Sequence, residues 1–310
     1  MLVDELDLLL MKELETDARQ GINVLAEKLG AKRTTVAYRL KRLIDRRIIT
    51  IAAIANRESL GYGWLYVIGM NVSPARTAAI AERLVPMQSI KTVFLTTGRF
   101  DIVTWALFRN RSELLSFLSD LGKISDVVNI DTILSFQLVK KTWKYFTPQP
   151  DIPEIAADEG AQNGLSELEV TIIKELELAP SQTMKELAGK VGGNRAAVTR
   201  RFQELTATGA IAFVSIVDPK ALGYNIQTFL LVKVKPDEIQ SVASELAHLD
   251  MLRHISLITG DCQIIVSAVF KDIPQMYEFL NNTLSRIPGI VRYHTIPVVK
   301  TVKYSFRLLT

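Results

Sequence analysis

The chain repeats itself, and that repeat constrains the fold more than any other feature of the sequence. Lys12-Glu13-Leu14-Glu15 returns as Lys174-Glu175-Leu176-Glu177, an offset of 162 residues. At the same offset Leu60-Gly61-Tyr62 meets Leu222-Gly223-Tyr224, and Thr97-Gly98 meets Thr259-Gly260. Between Leu25 and Ile49, nine of 25 positions are identical in the second copy. Toward the C-terminal ends the register slips by one, so Thr132-Ile133 meets Thr295-Ile296. A solenoid unit is roughly 20–50 residues long. This repeat is a duplicated module of domain size, and both halves must reach the same fold.

The boundary between the copies is visible. Residues 147–164 hold three prolines, four acids and almost no large apolar residue, which predicts an extended linker. Ser166 and Glu169 then form a Ser-x-x-Glu capping box that opens the first helix of the second copy.

Each copy begins with three helical stretches. Leu6, Leu9, Leu10 and Leu14 recur at helical spacing, Val24, Leu25 and Leu29 follow on a shorter helix, and Gly30 ends it where a left-handed residue is needed. Val36, Leu40 and Leu43 line a third helix. In copy two the matching sets are Leu168, Ile172 and Leu176, then Leu187 and Val191, then Val198, Phe202 and Leu205. A short helix, a tight turn and a second helix make the helix-turn-helix pattern. The remainder of each copy reads as β-α-β-β-α-β, the ferredoxin-like split motif. A short β-rich stretch, Ile48–Ile54, precedes it in copy one, and its last helix in copy two is predicted over Ile273–Arg286.

The expected class is therefore α+β. The expected domains are 1–50 (helix-turn-helix), 51–146 (ferredoxin-like), 147–164 (linker), 165–212 (helix-turn-helix) and 213–310 (ferredoxin-like). A ferredoxin-like sheet carries helices on one face only, so its other face must be covered. The simplest cover is the sheet of the other copy, packed face to face within one chain.

Charge is concentrated on the first turn-helix. From Lys28 to Arg47 there are eight basic residues and one acid, +7 in a chain whose formal net charge is +4. With Val36, Leu40 and Leu43 turned inward, the outer face predicted to meet DNA holds Arg33, Thr34, Thr35, Tyr38, Arg39, Lys41 and Arg42. Arg and Lys neutralise phosphates and fork onto guanine, and Thr reaches either base edge. A solvated charged face is the ordinary alternative. The copy-two window Lys185–Glu204 carries only +3 and presents Asn194, Arg195, Thr199, Arg200 and Gln203, a weaker and different reader. Arg39 and Arg201 flank the apolar face and suit a structural role as well as a phosphate contact.

These marks together resemble the leucine-responsive and asparagine-operon regulators, the Lrp/AsnC family. In copy one they are Val36-x-x-Arg39-Leu40-Lys41-Arg42-Leu43, Ile48-Ile49, Leu60-Gly61-Tyr62 and Thr97-Gly98-x-x-Asp101. In copy two they are Val198-x-x-Arg201-Phe202-x-x-Leu205, Gly209-x-Ile211, Asp218-Pro219-x-x-Leu222-Gly223-Tyr224 and Thr259-Gly260. The resemblance covers both modules apart from the linker. It implies a transcription regulator whose partners are double-stranded DNA and a small-molecule effector, an amino acid being the first expectation. The family's modules pair sheet to sheet, so one chain here corresponds to one dimer, with further homo-oligomerisation open. The effector is expected beside the central hairpin turns, at Thr97, Gly98, Arg99 and Asp101 and at Thr259, Gly260, Asp261 and Gln263. An acid for the ammonium and an arginine for the carboxylate make copy one the expected site, one per chain. Copy two departs from the pattern, with Gln263 where the family acid belongs. Both glycines also fit plain hairpin turns.

Two other readings compete. Sirohaem decarboxylases resemble this family in fold, occur as fused pairs, and use histidines near the sheet's second strand. This chain has only His248, His254 and His294, all in copy two. The other reading is a sensor or assembly protein with reduced DNA binding. No Gly-x-Ser-x-Gly, Walker or His-Glu-x-x-His motif is present, and neither enzyme activity nor a cofactor or metal is expected. The single cysteine, Cys262, rules out an internal disulfide and reads as a packing residue. With 48% hydrophobic and 23% charged residues, no apolar run near ~18 residues and no basic leader, a cytosolic location is expected.

Overall fold

The computed structural model describes residues 3–147 and 164–309, so the expected linker lies outside the described residues except for Thr147 and Gly164. The chain divides into two compact units, each assembled from both copies. One takes Met1–Gly61, Trp143–Leu222 and Phe306–Thr310, the other Tyr62–Thr142 and Gly223–Ser305.

The first unit holds the helical stretches. Copy one supplies α1 (Glu5–Thr16), α2 (Ile22–Lys28), α3 (Arg33–Asp45) and β1 (Ile49–Ala55). Copy two supplies α6 (Glu167–Leu178), α7 (Met184–Val191), α8 (Arg195–Ala207) and β6 (Ile211–Val217). The caps are built as their sequences require. Ser166 accepts from Glu169 N–H while the Glu169 carboxylate accepts from Ser166 N–H, and Gly30 and Gly192 take positive φ after the turn helices. Val36 and Leu43 are buried, but Leu9 faces outward.

Strands β1 and β6 pair antiparallel from Ile49↔Val217 to Ala55↔Ile211. The expected division after residue 50 thus falls inside a strand that belongs with the helices. The physical reason is packing. Val217 of copy two joins the core of the first helix-turn-helix, and Ala53 and Ala55 of copy one join the core of the second. Arg19 also crosses over, lying 4.5 Å above the Phe213 ring and donating to Gln182 O at 3.2 Å.

The second unit holds the two β-α-β-β-α-β motifs. Copy one gives β2 (Trp64–Val72), α4 (Thr77–Leu84), β3 (Ile90–Thr96), β4 (Ile102–Phe108), α5 (Arg111–Gly122) and β5 (Val127–Lys141). Copy two gives β7 (Ile226–Val234), α9 (Ile239–Ala247), β8 (Leu252–Ile258), β9 (Ile264–Phe270), α10 (Ile273–Glu278) and β10 (Ile290–Tyr304). The last predicted helix is shorter than expected: α10 gives way to a π turn over Phe279–Thr283 and a tight turn at Leu284–Arg286.

Sheets β3-β4-β2-β5 and β8-β9-β7-β10 face each other, as expected, across a shared core that includes Val67, Phe94, Phe229, Leu231 and Ile265. They are also joined at both edges. The 15-residue strands β5 and β10 outrun their own sheets and pair with β8 and β3, closing an eight-stranded barrel. Two matched lysines secure the joins. Lys140 donates to Leu249 O at 2.9 Å, after α9, and Lys303 donates to Val85 O at 2.8 Å, after α4. Each carries its charge past the C-terminal end of a helix in the opposite copy, where cations are favoured.

Candidate functional site

The helical unit presents one chemically distinctive face. On α3, Arg33, Thr34, Tyr38 and Lys41 are exposed, and Tyr38 retains 68% of its surface. Thr35 is half-buried. Two of the expected readers also hold intramolecular ion pairs. Arg39 pairs with Asp4 and, at 3.1 Å, with Asp7, and Arg42 also pairs with Asp7. Asp7 is fully buried on α1, so these pairs bind α3 to α1. The Arg39 guanidinium, together with the Asp7 N–H, holds the Asp4 carboxyl below the usual carboxylate range. In α8, Arg201 pairs with Glu204 at 2.7 Å, and Arg200 approaches the same carboxylate at 3.8 Å. Asn194 is the N-cap, accepting from Ala196 N–H at 2.8 Å. Arg195 and Gln203 are exposed and Thr199 is half-buried. The outer face of α3 is accordingly more cationic and more available than that of α8.

The barrel unit holds a cavity of about 290 Å³ where the copy-two hairpin turn approaches β5 of copy one. Thr259, Gly260, Asp261 and Cys262 line one wall, Ile130–Ile133 the other, with Leu231, Ile258 and Arg99 completing it. Thr259 fixes the turn: its N–H donates to Leu134 O at 3.0 Å, and its hydroxyl accepts from Leu134 N–H at 3.1 Å.

The expected effector residues separate into two groups. Arg99, Thr259, Gly260 and Asp261 line this cavity. Asp101 does not: its carboxylate accepts from Val72 N–H at 2.9 Å, and Gln263 does the same for Val234 N–H at 3.0 Å. These matched residues tie their hairpin turns to the ends of β2 and β7, a contact for which an amide serves in copy two as well as an acid does in copy one. Thr97 and Gly98 sit at the copy-one turn, where Thr97 N–H donates to Pro297 O at 3.1 Å. Arg99 is paired with Asp131, at 3.4 Å, and Asp101 lies outside the cavity lining.

Charge around the cavity is dense. Asp261 is held by Lys233 at 2.7 Å and by Arg292 at 3.3 Å. The Lys233 contact keeps its carboxyl below the usual range. Burial, followed by Asp261, pushes the Cys262 thiol up. Burial, followed by Arg292 and Arg99, pushes the His294 imidazole down, which favours its neutral form. Ligand atoms of Asp261, Cys262 and His294 lie within 4.8 Å of one another, a sulfur, nitrogen and oxygen set of the kind that zinc-like cations accept. His254, the remaining strand histidine, bonds Ser256 Oγ at 2.8 Å.

The Lrp/AsnC ligand binding domain matches residues 66–144 and 227–308, together more than half of the chain. The chain belongs to the Lrp/AsnC family. The AsnC-type helix-turn-helix domain matches residues 3–44. Among Lrp/AsnC relatives, the HTH-type transcriptional regulator FL11 of Pyrococcus horikoshii is 33% identical over 145 residues, 46% of this chain and 95% of that protein. The regulator Ptr1 of Methanocaldococcus jannaschii is 29% identical over 150 residues, 48% of this chain and 99% of its own. Both align with about half of this tandem chain. The solved structure of the siroheme decarboxylase NirDL is similar over 97% of this chain and 93% of its own, with a TM-score of 0.67 and 15% identity. At that identity the likeness is one of fold.

Several residues that shape these Lrp/AsnC sites were not singled out in the sequence. Asp131 lines the cavity, and Lys233 and Arg292 pair with Asp261 at its wall, from strands whose charged positions look like ordinary solvated faces. Glu15 and Glu177 are buried carboxylates on α1 and α6. Their signal was present in the repeated Lys-Glu-Leu-Glu, where a glutamate recurs at a position that packs inward. No helix among the described residues is long and apolar enough to cross a membrane.

Proposed function

We propose that this chain is a sequence-specific DNA-binding transcription regulator whose activity responds to a small metabolite held in the barrel cavity. The observation that carries the reading is the outer face of α3. Arg33, Thr34, Tyr38 and Lys41 stand exposed on the second helix of a helix-turn-helix, while Arg39 and Arg42 anchor that helix from behind. Such a face supplies phosphate contacts and base-edge contacts from one element. The names of the FL11 and Ptr1 regulators support the same reading. The cavity is near the lower limit of ligand pockets, roughly 300–1,000 Å³, which suits an amino-acid-sized effector.

The test is DNA binding measured against salt, at operator sequences found by genome-wide binding of the protein. Replacing Arg33 and Lys41 with alanine removes two phosphate contacts and lowers the log–log salt slope by about 2 units. Replacing Arg195 in α8 costs less. Unchanged affinity in the α3 variant refutes the reading.

A decarboxylase is the second reading, since NirDL shares the tandem fold. Mixing the protein with sirohaem decides between the two: a Soret shift with product formation favours the enzyme, and an unchanged spectrum favours the regulator.

A further inference from the structure

The two helix-turn-helix elements are held in a two-fold frame. In the β1–β6 pair, Ala52 faces Val214, its own match in the other copy at the 162-residue offset. The pairs on either side, Ile51 with Ser215 and Ala53 with Phe213, are exchanged by the same offset, so the ladder is symmetric about Ala52 and Val214. The packing follows it. Val217 enters the core of the first helix-turn-helix, and its match, Ala55, enters the core of the second. Within this unit α3 and α8 are therefore a symmetry-related pair, as the two recognition helices of a dimer are on the two halves of an operator.

The frame is symmetric and the faces it presents are not. Five matched positions are exposed on both helices: Arg33, Thr34, Tyr38, Lys41 and Asp45 on α3, and Arg195, Ala196, Arg200, Gln203 and Ala207 on α8. Only the first pair is identical. Thr34 offers a hydroxyl where Ala196 offers a methyl, which suits the thymine methyl. Arg200 matches guanine, which the phenol of Tyr38 does not, and Gln203 matches adenine, which Lys41 does not. The charge differs as well. Glu204 takes the matched place of Arg42 and lies 3.8 Å from Arg200, so α8 offers less cationic charge to the phosphates.

We infer that the operator of this chain is not a palindrome. It carries two half-sites of different base sequence, in the inverted arrangement that the two-fold frame imposes, one read by α3 and the other by α8. The chain binds it in a single orientation. This deepens the regulator reading and rests on it. A dimer of identical subunits presents one face twice, so its best site repeats one half-site in inverse and is bound equally in either orientation. Here an inverted repeat of either half-site puts one helix on bases that it does not match, at a loss of about tenfold for each mismatched base pair.

In vitro selection from random duplexes with the full chain finds the site, and fluorescence anisotropy then compares it with the two palindromes made from its halves. The selected site differs between its halves, and each palindrome binds more weakly by about tenfold or more. Ala196→Thr, Arg200→Tyr and Gln203→Lys together, all at exposed positions, give α8 the face of α3 and move the preference to the α3 palindrome. The reciprocal set, Thr34→Ala, Tyr38→Arg and Lys41→Gln, moves it to the α8 palindrome. A selected palindrome overturns the inference. So does a site specified in one half alone, or an exchange of faces that leaves the preference where it was. Failure of the wild-type chain to select any duplex defeats the regulator reading itself, whereas selection of a palindrome defeats this inference alone.

Discussion

Glu15 is the residue whose replacement tests the architecture most directly. It lies on α1, is only 6% exposed, and carries a carboxylate into the first unit. That carboxylate accepts from the backbone N–H groups of Tyr145, Phe146 and Thr147 at 2.6, 3.0 and 3.2 Å, and from the Thr147 hydroxyl at 3.3 Å. The grip fixes the segment that follows β5 in the chain onto the first helix of copy one. Glu177 makes the matched contact in copy two, to Leu308 N–H at 2.8 Å and Leu309 N–H at 2.9 Å. Hydrogen bonds to an ionised group contribute about 1.5–3 kcal/mol each. They are not additive, and residues 145–147 are half-exposed, so water replaces part of what Glu15→Ala removes. A net loss of about 3 kcal/mol in local stability follows. That corresponds to roughly a hundredfold faster amide exchange at 145–147. Glu15→Gln keeps one carbonyl acceptor but turns an NH2 toward the donors, and gives an intermediate loss. The assay is native-state hydrogen exchange followed by peptide mass analysis. Unchanged protection at 145–147 in Glu15→Ala refutes the reasoning, as does a Gln variant indistinguishable from wild type.

Asp101→Asn leaves effector stoichiometry and affinity unchanged in calorimetry, because its oxygen still accepts from Val72 N–H, whereas Asp101→Ala lowers barrel stability by about 1 kcal/mol in denaturant titration. Lys140→Met keeps the buried stem but leaves Leu249 O without this donor, at a cost of about 1–2 kcal/mol in the same assay. The capping carboxylates Asp4, Glu169 and Glu186 all titrate below their ordinary values, held there chiefly by Arg39, Ser166 and Thr183. Their stabilisation is complete above the ordinary carboxylate range and is lost as pH falls through the depressed folded values; thermal melts at descending pH show it, and Glu169→Gln flattens the dependence.

The repeat, the helix-turn-helix and the split βαβ pattern were legible because each rests on local periodicity. Val36 and Leu43 bury one face of α3, Ser166 caps α6, and the copy-two motifs echo copy one at a constant spacing. What the sequence did not disclose is where the copies exchange parts. Nothing local in Ile49–Ala55 says that it will pair with Ile211–Val217 and place two alanines in the opposite core. Nor does a lysine at the end of a strand announce that it will reach a helix of the other copy. The site residues divide along the same line. Arg33 and Lys41 were readable because exposure follows from helical phase, while Arg39 and Arg42 are drawn to Asp7 by tertiary contacts across 32 and 35 residues of sequence. Asp101 shows what the sequence leaves out: an acid beside a turn looks like ligand chemistry, and only the structure adds the Val72 N–H that its carboxylate accepts. Duplication explains why this matters for function. Once two copies share one chain, each hairpin turn faces a different strand, and each is free to diverge on its own. In copy one Phe100 lies over Gly69, and in copy two a cavity lies beside Cys262, with Arg99 of copy one in its wall. A dimer of identical subunits must carry every such difference twice; this chain carries it once, at one turn and not the other.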